Sequence, residues 1–594
     1  MKSSLYLRTL LVFLLLFLIF SCLKDKEYET ENSIFLDDSD LMKLHEGQMV
    51  LGKQLKNPYS IKNMEKALES LKASFGEKGQ SVPSIGSISP THYYIKFRPK
   101  TKEEFDLLES DTTLILYDFP LDYEILKDGH YYHDPKLPLD QPTYQYASVP
   151  VQKSLSSTVD YEILEELYIP DEDTNLDNTG TQKLSSEYDA FIEALVDKSL
   201  LLTDNLDEDT KVQNNIRNNS QTQHISIETP RLFKQRRKWR PAGTIKVWDD
   251  NIGNTVSTRR VFSHWEYYYC EDDDFYKRYN EHDVDKLKRI DIEEEQCKRA
   301  IYKNVTTTAS GSFIPIEGVK IRARRWFTTY TGITNSQGYY SCNGRFKRRA
   351  NYKIKWKRHD FSIRWSWLSA AKYNGPKKKG DWNLNIKGGS QEYYATIFRA
   401  AHHYYYKNIK RLRRPPQNSF GRTQMKIRAY KRYVSKKGSL GTHNSSWRAF
   451  GLWSPVKIYT YGGGAIETYS TVIHELAHAS HWNMGRRNFR NADRKLKESW
   501  ARGVEWELTR MVYPSFRAFE IRPNYTLVAM DMIDNDNRFG NTFTLGESVK
   551  GYSIRQIEDA LIGKRNWNDW KNNIKNKYSN ETEKNLDALF TYWN

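Results

Sequence analysis

The residues of this chain with the clearest chemical potential are His474, Glu475 and His478, which form an HExxH pentapeptide. On a helix, side chains four positions apart lie on the same face, so the two imidazoles can share one metal ion. The glutamate between them then lies beside the metal, where its carboxylate can act as a base. A hydrolytic zinc site usually has three protein ligands and a position for water. The pentapeptide therefore predicts two ligands and leaves the third to be found.

The residues around the pentapeptide have the pattern of a helix. Residues 469–484 contain neither proline nor glycine, and Ile473, Leu476 and Ala477 form an apolar stripe beside the histidines. Gly485 is a typical residue just past a helix end. We expect a helix that packs by one face and holds a metal by the other. The alternative is an ordinary amphipathic helix with two exposed histidines.

A second helix is predicted downstream, and it carries a candidate third ligand. Residues 491–512 have a helical pattern, with Asn491 as the expected cap and Glu498 inside the helix. Glu498 follows His474 by 24 residues. That distance is enough for the first helix to end and for a second helix to return alongside it.

This arrangement resembles the gluzincins, the thermolysin-like zinc metallopeptidases, whose third ligand is a glutamate on the next helix at this distance. The resemblance implies that His474, His478 and Glu498 bind Zn²⁺. It also implies that Glu475 is the general base, which takes a proton from the water activated by the metal. Glu505, two turns beyond Glu498 on roughly the same face, is the reserve ligand.

The chain departs from the thermolysin pattern around this site. Arg502 stands where that family has an aspartate that orients a ligand histidine, and Phe489 lies where a transition-state tyrosine is expected. No histidine follows His481, so the oxyanion donor must be Tyr525, Tyr552, an arginine or the backbone. We favour Tyr552, at the start of a predicted helix; the alternative is that its ring packs on that helix. His481 is a further candidate ligand, although three ligands from one helix would crowd one side of the ion.

A strand pattern directly precedes the metal helix. Residues 456–461 read as a strand, and three glycines follow at 462–464. A strand that runs past a zinc helix can pair with an extended peptide, which resembles how gluzincins hold substrates. A flexible connection between strand and helix is the alternative.

The first residues indicate secretion. Basic residues precede an apolar run at 10–20, which is too short to span a membrane and has the pattern of a signal peptide. The end of this segment resembles the lipobox of bacterial lipoproteins, which implies removal of residues 1–21 and lipidation of Cys22. Leu23 follows instead of an aspartate, which favours the bacterial outer membrane or cell surface. A plain signal peptide with an incidental cysteine is the alternative.

The length of the chain implies several domains. The part at 171–220 is polar and is expected to be flexible in places. A basic segment at 231–240 is either a protease-sensitive junction, which would make the N-terminal region a propeptide, or a plain linker. The predicted fold class is multidomain α+β, comprising a tether at 22–57, a small N-terminal α+β domain at 58–230, a β-sandwich at 241–390 with an insertion, and a helix-rich zincin catalytic domain at 391–594.

The predicted middle domain has the alternation of short strands. Residues 243–249 and 318–324 alternate as strands, and a turn containing Asn335 and Gly338 leads into a third. This order resembles the transthyretin-like β-sandwiches, the regulatory modules that accompany secreted carboxypeptidases and bacterial surface proteins. The resemblance implies a module that positions or binds rather than catalyses.

Charge is polarised along the chain. Residues 151–230 carry a formal charge of about −12, whereas residues 311–450 hold 32 Lys and Arg against 4 Asp and Glu. The basic stretch is expected to contact an anionic surface, an acidic glycoconjugate or the acidic N-terminal part of the same chain, and no specific nucleic acid. A solvated basic face without a ligand is the alternative.

Two hypotheses follow from these patterns. The first is a lipid-anchored zinc endopeptidase that hydrolyses peptide bonds in a protein or peptide substrate. The second is a surface lipoprotein that binds a polymer or a protein through its basic sandwich and carries an inactive zincin domain.

Overall fold

A computed structural model gives the architecture of most of the chain. Contacts divide it into two units, Met1–Gly47 and Gln48–Asn594. Residues 1–46, which include Cys22, the signal segment and most of the tether, lie outside the described residues. The structure describes residues 47–76, 87–138, 141–155, 158–170, 186–206, 236–269, 296–366, 369–419, 424–435, 439–444, 455–517, 523–533 and 549–594.

The second unit mixes helices and sheets, as the predicted fold class requires. No helix in the described ranges combines the length and the apolar character needed to cross a membrane. The N-terminal part of the second unit, residues 48–206, contains β1 (Val50–Gln54), α1 (Ile61–Gly76), β2 (His92–Phe97), α2 (Lys102–Ser110), β3 (Tyr123–Lys127), β4 (Gln145–Pro150), β5 (Tyr161–Leu167) and α3 (Ser186–Leu202).

In this N-terminal part, β2 lies between β4 and β5 in an antiparallel sheet, and β1 pairs with β3. In α1, Met64, Ala67 and Leu68 recur at helical spacing and are buried, so this helix packs by one face. Tyr117 forms an isolated bridge with Tyr146.

The middle part is dominated by strands. One sheet has the order β10-β6-β14, with β7 paired to β6, and a second sheet, which we call the middle sheet, has the order β13-β11-β8-β9. The predicted Asn-x-x-Gly turn is present, since Gly338 donates its backbone N–H to Asn335 and adopts a φ of 72°. The strands are β6 (Ala242–Tyr269), β7 (Gln296–Pro315), β8 (Lys320–Arg325), β9 (Thr328–Ile333), β10 (Tyr339–Ser341), β11 (Ala350–Lys355), β12 (Phe361–Arg364), β13 (Lys372–Lys378) and β14 (Leu384–Ile386).

The C-terminal part surrounds a mixed sheet of order β12-β15-β17-β16, in which β16 is the antiparallel edge strand. Because β12 belongs to this sheet, the sheet crosses the predicted boundary at 390. The remaining elements are α4 (Gly389–Tyr406), β15 (Met425–Ala429), β16 (Gly441–His443), β17 (Val456–Ile458), α5 (Ala465–Met484), α6 (Arg486–Arg490), α7 (Arg494–Thr509), α8 (Val528–Ile533), α9 (Ile554–Leu561), α10 (Trp567–Lys577) and α11 (Leu586–Tyr592).

The helix with the HExxH motif, α5, is buried in the largest hydrophobic core. Val472, Ile473 and Leu476 have no exposed surface, and they contribute to a cluster shared by the middle and C-terminal parts. Burial of each such side chain stabilises the fold by about 1.5–3 kcal/mol. On α7, Gly503 allows a close approach, since a β-carbon there would lie 2.5 Å from that of Ala529. The core thus holds α5 and α7 in place.

The N-terminal part packs on the basic strands through buried ion pairs between its carboxylates and the Lys and Arg side chains of the strands. We call these ion pairs the N-terminal interface. Asp118 lies 2.5 Å from Lys372, and Glu109 lies 3.2 Å from Arg364. Phe327, in the turn between β8 and β9, belongs to the N-terminal core. The acidic N-terminal part is therefore one of the contacts made by the basic stretch, as one of the sequence alternatives predicts.

The basic segment predicted at 231–240 is described from Arg236 onward. The Arg236 guanidinium lies 2.8 Å from Glu193 and 2.6 Å from Asp197 on α3. Trp239 forms a β-bridge with Phe346. This end of the segment is held against both the N-terminal and the middle parts, and removal of the N-terminal region stays a prediction.

Candidate metal centre

Three side chains from two helices converge at one point. Nε2 of His474 lies 3.2 Å from Oε2 of Glu498, and Nε2 of His478 lies 3.1 Å from the same oxygen. The potential ligand atoms of the three residues all lie within 4.8 Å of one another. Donor atoms around a tetrahedral zinc ion are about 3.3 Å apart. The donor set and its spacing therefore fit a zinc ion.

The helices α5 and α7 position these donors. The His474 and His478 rings lie one helical turn apart, with centroids 4.8 Å apart. Glu498 lies early in α7, which packs on α5. The helix predicted at 491–512 is shorter than expected, because Asn491 ends the short helix α6 and Asp493 is the N-cap of α7. The break turns the chain so that α7 returns along α5.

Glu505, the reserve ligand predicted from the sequence, lies behind His474 and outside the cluster of potential ligand atoms. Its Oε2 lies 3.0 Å from Nδ1 of His474, on the side of the ring away from Glu498. A carboxylate at such a position fixes the tautomer and orientation of a histidine that binds a metal. Arg502 lies 3.6 Å from Glu505. Glu505 thus makes the contact with a histidine that the thermolysin pattern expects of an aspartate at position 502.

The carboxylates around His474 control its protonation. Burial alone would lower the pKa of His474, but the hydrogen bonds that its ring donates to Glu498 and Glu505 raise this pKa to about 10. Burial would also raise the pKa of Glu498, yet the nearby His478 and the two imidazole hydrogen bonds hold it well below its usual range. Glu498 is therefore an ionised carboxylate, as a metal ligand must be.

Glu475 is buried from solvent beside the potential ligands. It is 5% exposed, and its Oε2 has no hydrogen-bond partner in the described part of the chain. Burial raises its pKa to about 8, and the charges of Glu498 and Glu505 act in the same direction. A carboxyl group with a pKa near neutrality can both accept and donate a proton.

The edge strand β16 covers Glu475. A β-carbon on Gly441 would lie 2.7 Å from Oε1 of Glu475, so only glycine fits at this position of the strand. The strand predicted to run past the metal helix, now β17, lies inside the sheet between β15 and β16. The prediction that this strand pairs with a substrate is therefore wrong, and in the described part of the chain β16 is instead the last strand of the sheet. The local pattern could not distinguish an inner strand from an edge strand.

The three glycines before α5 form a tight turn rather than a loose connection. Gly462 has a φ of 91°, and Gly463 donates its N–H to the carbonyl of Thr460. The Ala465 N–H at the start of α5 donates to Oδ1 of Asp250, which lies on β6. This bond ties the first turn of the metal helix to the middle part.

Tyr525, and not the predicted oxyanion donor Tyr552, lies next to the ring of His474. The ring of Tyr525 stacks near that of His474, with centroids 6.0 Å apart. Burial raises the pKa of Tyr525 to about 12, and both Glu498 and Glu475 contribute. Tyr552 is 2% exposed and packs in the core, as in the alternative prediction.

The contacts of Tyr552 are with residues outside the ligand cluster. Its N–H donates to the Met532 carbonyl, and the charge that acts on its phenol is that of Glu583. The predicted helix is present as α9 and begins at Ile554, two residues after Tyr552, whose ring is buried in the core. The role of Tyr552 as oxyanion donor stays a prediction.

Two residues with aromatic rings, His443 and Phe489, lie beside the ring of His478. The imidazole of His443, on β16, lies nearly parallel to that of His478, with centroids 6.4 Å apart. Phe489 lies 5.0 Å from His481 and 6.2 Å from His478. His481 is buried against Phe489 outside the ligand cluster, and burial lowers its pKa to about 3. His481 is thus a packing residue and not the third ligand.

The sequence missed His443 because no local spacing links it to the pentapeptide, from which it is separated by about 30 residues. The sequence did place Glu505 near the site, since it lies two turns from Glu498 on one helical face. Comparisons with protein-family models, curated proteins and solved structures find no match for this chain. The resemblance to gluzincins therefore depends on the residues named above and on their geometry.

Proposed function

We propose that this protein is a zinc-dependent peptidase of gluzincin type. The observation that carries the proposal is the convergence of His474, His478 and Glu498, with the carboxyl group of Glu475 buried beside them. Two imidazole nitrogens and one carboxylate oxygen suit zinc and leave a position for water. The carboxylate of Glu505 behind His474 is the support that such a ligand needs.

Each residue around the centre has a distinct role in the proposed reaction. Zinc bound to the three ligands would act as a Lewis acid and lower the pKa of water to about 7. Glu475 accepts the proton of that water and later gives it to the leaving amine. The Tyr525 phenol, which stacks on His474, donates a hydrogen bond to the oxygen that becomes negative in the transition state.

The proposed substrate is an extended peptide. Among the described residues, β16 pairs with β17 alone, so its other edge is available for an added strand. Gly441 brings this edge against Glu475 without a side chain between them. A peptide held there would pass the base along its length, which favours internal cleavage.

We propose that the enzyme acts outside the cytoplasm. The signal pattern and Cys22 are the sequence features that support a lipid anchor at the bacterial outer membrane or cell surface. Labelling the bacterium with an alkynyl fatty acid tests this directly. Label should be incorporated into the wild-type chain and be absent from Cys22→Ser.

A metal and activity measurement tests the enzymatic proposal. A soluble form that begins at residue 23 is purified, its mass is measured to detect removal of the N-terminal region, and its zinc content is determined. We expect one zinc per chain, and cleavage of unfolded casein that a chelator abolishes and added zinc restores. Stoichiometric zinc without cleavage, by both the intact chain and a form without the N-terminal region, would instead support the binding-protein hypothesis.

A further inference from the structure

A second site is indicated by a cleft between the N-terminal part and the middle sheet. Its volume is about 670 Å³, and both parts contribute to its walls. Ligand-binding pockets of proteins commonly have volumes of about 300–1,000 Å³. The metal ligands are not among the residues that line it. The cleft is therefore separate from the metal centre and large enough for a small organic molecule.

The walls of the cleft are strongly basic. Only two of the lining residues are acidic, namely Glu124 and Asp128. Six lining residues are Lys or Arg: Arg322, Arg324, Arg325, Arg349, Lys353 and Lys377. Such a concentration of one sign of charge between low-dielectric walls attracts anions.

The cations nearby at the N-terminal interface have carboxylate partners. Lys372 lies 2.5 Å from Asp118, and Arg348 lies 2.5 Å from Asp197. These pairs offset the cost of removing each charge from water. The interface thus neutralises these cations with the protein's own acids.

Arg322 and Arg324 lack such partners in the described part of the chain. Nη1 of Arg322 donates to the Leu116 carbonyl at 3.1 Å, while its Nε is buried without a partner and the residue is only 9% exposed. Nη1 of Arg324 donates to the Trp326 carbonyl at 2.9 Å. A buried guanidinium that has only carbonyl partners keeps its full charge for a ligand.

Aromatic rings hold these cations in position. The guanidinium groups of Arg322 and Arg324 lie 5.6 Å and 5.2 Å from the ring centroid of Tyr117. The Tyr117 hydroxyl is itself fixed by a 2.8 Å hydrogen bond with Thr329. Cation–π contacts of this kind restrict the side chains before a ligand arrives. Trp326 and Tyr123 add apolar ring surface to the walls.

We propose that this cleft binds a small organic anion that carries at least two negative charges on a ring-containing body. The unpaired arginines would bind the anionic groups, and the aromatic walls would contact the ring. Acidic saccharides and nucleotides share this chemistry. The ligand would contact both the N-terminal part and the middle sheet, so its binding would strengthen their association. The proposal does not depend on the metal centre.

Calorimetric titration of the full soluble chain at low salt tests the proposal. The probes are a sulfated uronate disaccharide, ADP, inorganic pyrophosphate and neutral lactose. We expect at least one ring-bearing anion to bind and to raise the melting temperature, and lactose not to bind. Arg324→Gln should weaken binding about tenfold or more, because a charge-assisted hydrogen bond is lost.

Lys377→Glu is the second variant, because Lys377 is an exposed residue of the rim, and circular dichroism checks that the variant is folded. It should also weaken binding of the anions. Arg98→Gln is the matched control, since it removes one positive charge from an exposed ion pair with Glu162 outside the cleft. Its affinity should match that of the wild type.

Three results would overturn the proposal. The first is that no anionic probe binds at millimolar concentration. The second is that affinity is unchanged in Lys377→Glu and in folded Arg324→Gln. The third is that pyrophosphate binds as tightly as the ring-bearing anions, which would reduce the site to a simple anion site. Preference for the disaccharide or for ADP would support the proposal and identify the source of the ligand.

Discussion

The metal centre and the N-terminal interface both bury carboxylates, but they balance the negative charge with different partners. At the interface, Asp118 faces Lys372 at 2.5 Å. At the metal centre, Glu498 faces His474 and His478 at 3.2 Å and 3.1 Å. The interface pair of Glu109 with Arg364 has a distance of 3.2 Å, the same as at the metal centre, so distance alone does not separate the two regions.

The chemistry of the partner separates the two regions. A lysine or arginine donates hydrogen bonds but has no lone pair, so a carboxylate beside it is committed to the fold. An imidazole can lose its proton and offer a lone pair, so a carboxylate and two histidines can together exchange protons for a divalent ion. A buried carboxylate between histidines can thus serve as a ligand of a metal ion, whereas one paired with Lys or Arg is a structural contact.

Replacing the base should have the largest effect. Glu475→Gln keeps the shape of the side chain but cannot accept a proton, so casein cleavage should fall about 10²–10⁴-fold. Zinc content should stay at one ion per chain, because Glu475 is not a ligand. The matched control is Glu467→Gln, in the first turn of the same helix, which should retain activity. Full activity in Glu475→Gln would contradict the assignment of the base.

Breaking a permanent ion pair should affect stability instead of metal binding. Lys372→Met leaves the Asp118 carboxylate buried without its cation, which should lower the free energy of unfolding by about 3–5 kcal/mol. Urea titration followed by tryptophan fluorescence measures this loss. The double variant Asp118→Leu/Lys372→Met should regain most of it. If zinc affinity fell as far as stability in the single variant, the two regions would not be independent.

The carboxylate behind His474 should have an intermediate effect. Glu505→Ala removes the acceptor at Nδ1 and should weaken zinc binding about 10–100-fold, measured by competition with a chromogenic chelator. Glu505→Gln retains an acceptor oxygen and should be closer to the wild type. The control is Glu507→Gln on the same helix, where Glu507 pairs with Arg510 and not with the metal ligands. Wild-type affinity in Glu505→Ala would overturn its orienting role.

Lowering the pH should destabilise the N-terminal interface gradually, and the effect should be smaller than those of the substitutions above. Burial alone would raise the pKa of Glu109, but Lys357, Arg364 and Lys355 lower it well below its usual range. Its stabilising effect is therefore present above the unfolded-state pKa of about 4.3 and is lost as the pH falls below that value.

Urea unfolding at pH 7, 5, 4 and 3.5 measures this loss. The slope below about pH 4 should approach 1.4 kcal/mol per pH unit for each such acid. Glu109→Gln should be less stable than the wild type at pH 7 and show a shallower slope. An equal slope in the two proteins would assign the acid sensitivity to other groups.

Much of the site could be predicted because its signals are local. The helical period and the absence of Pro and Gly predicted α5, and the i, i+4 spacing put His474 and His478 on one face. The short connection between α5 and α7, which contains α6, brought Glu498 back to them. Alternation likewise predicted the strands β6 and β8, although β6 continues far beyond its predicted end.

The contacts that the sequence did not predict are those that no local pattern encodes. The sequence favoured Tyr552 because it lies at the start of a predicted helix, yet Tyr552 is buried in the core while Tyr525 stacks on His474. The choice between β17 and β16 as the edge strand depended on sheet order, which strand propensity does not contain. His443 reached the centre only through that same strand order.

The sequence by itself determined the ligands of the proposed zinc ion, the candidate base and the separation of acidic and basic parts, because each follows from residue type and short spacing. Only the tertiary structure decided that Glu505 contacts His474, that Tyr525 is the neighbouring phenol, and that the acidic and basic parts meet in buried ion pairs. The physical reason is the separation along the chain over which each kind of interaction acts. Backbone preferences act over a few residues, whereas these contacts join residues from 31 to more than 250 positions apart and form only when the core packs.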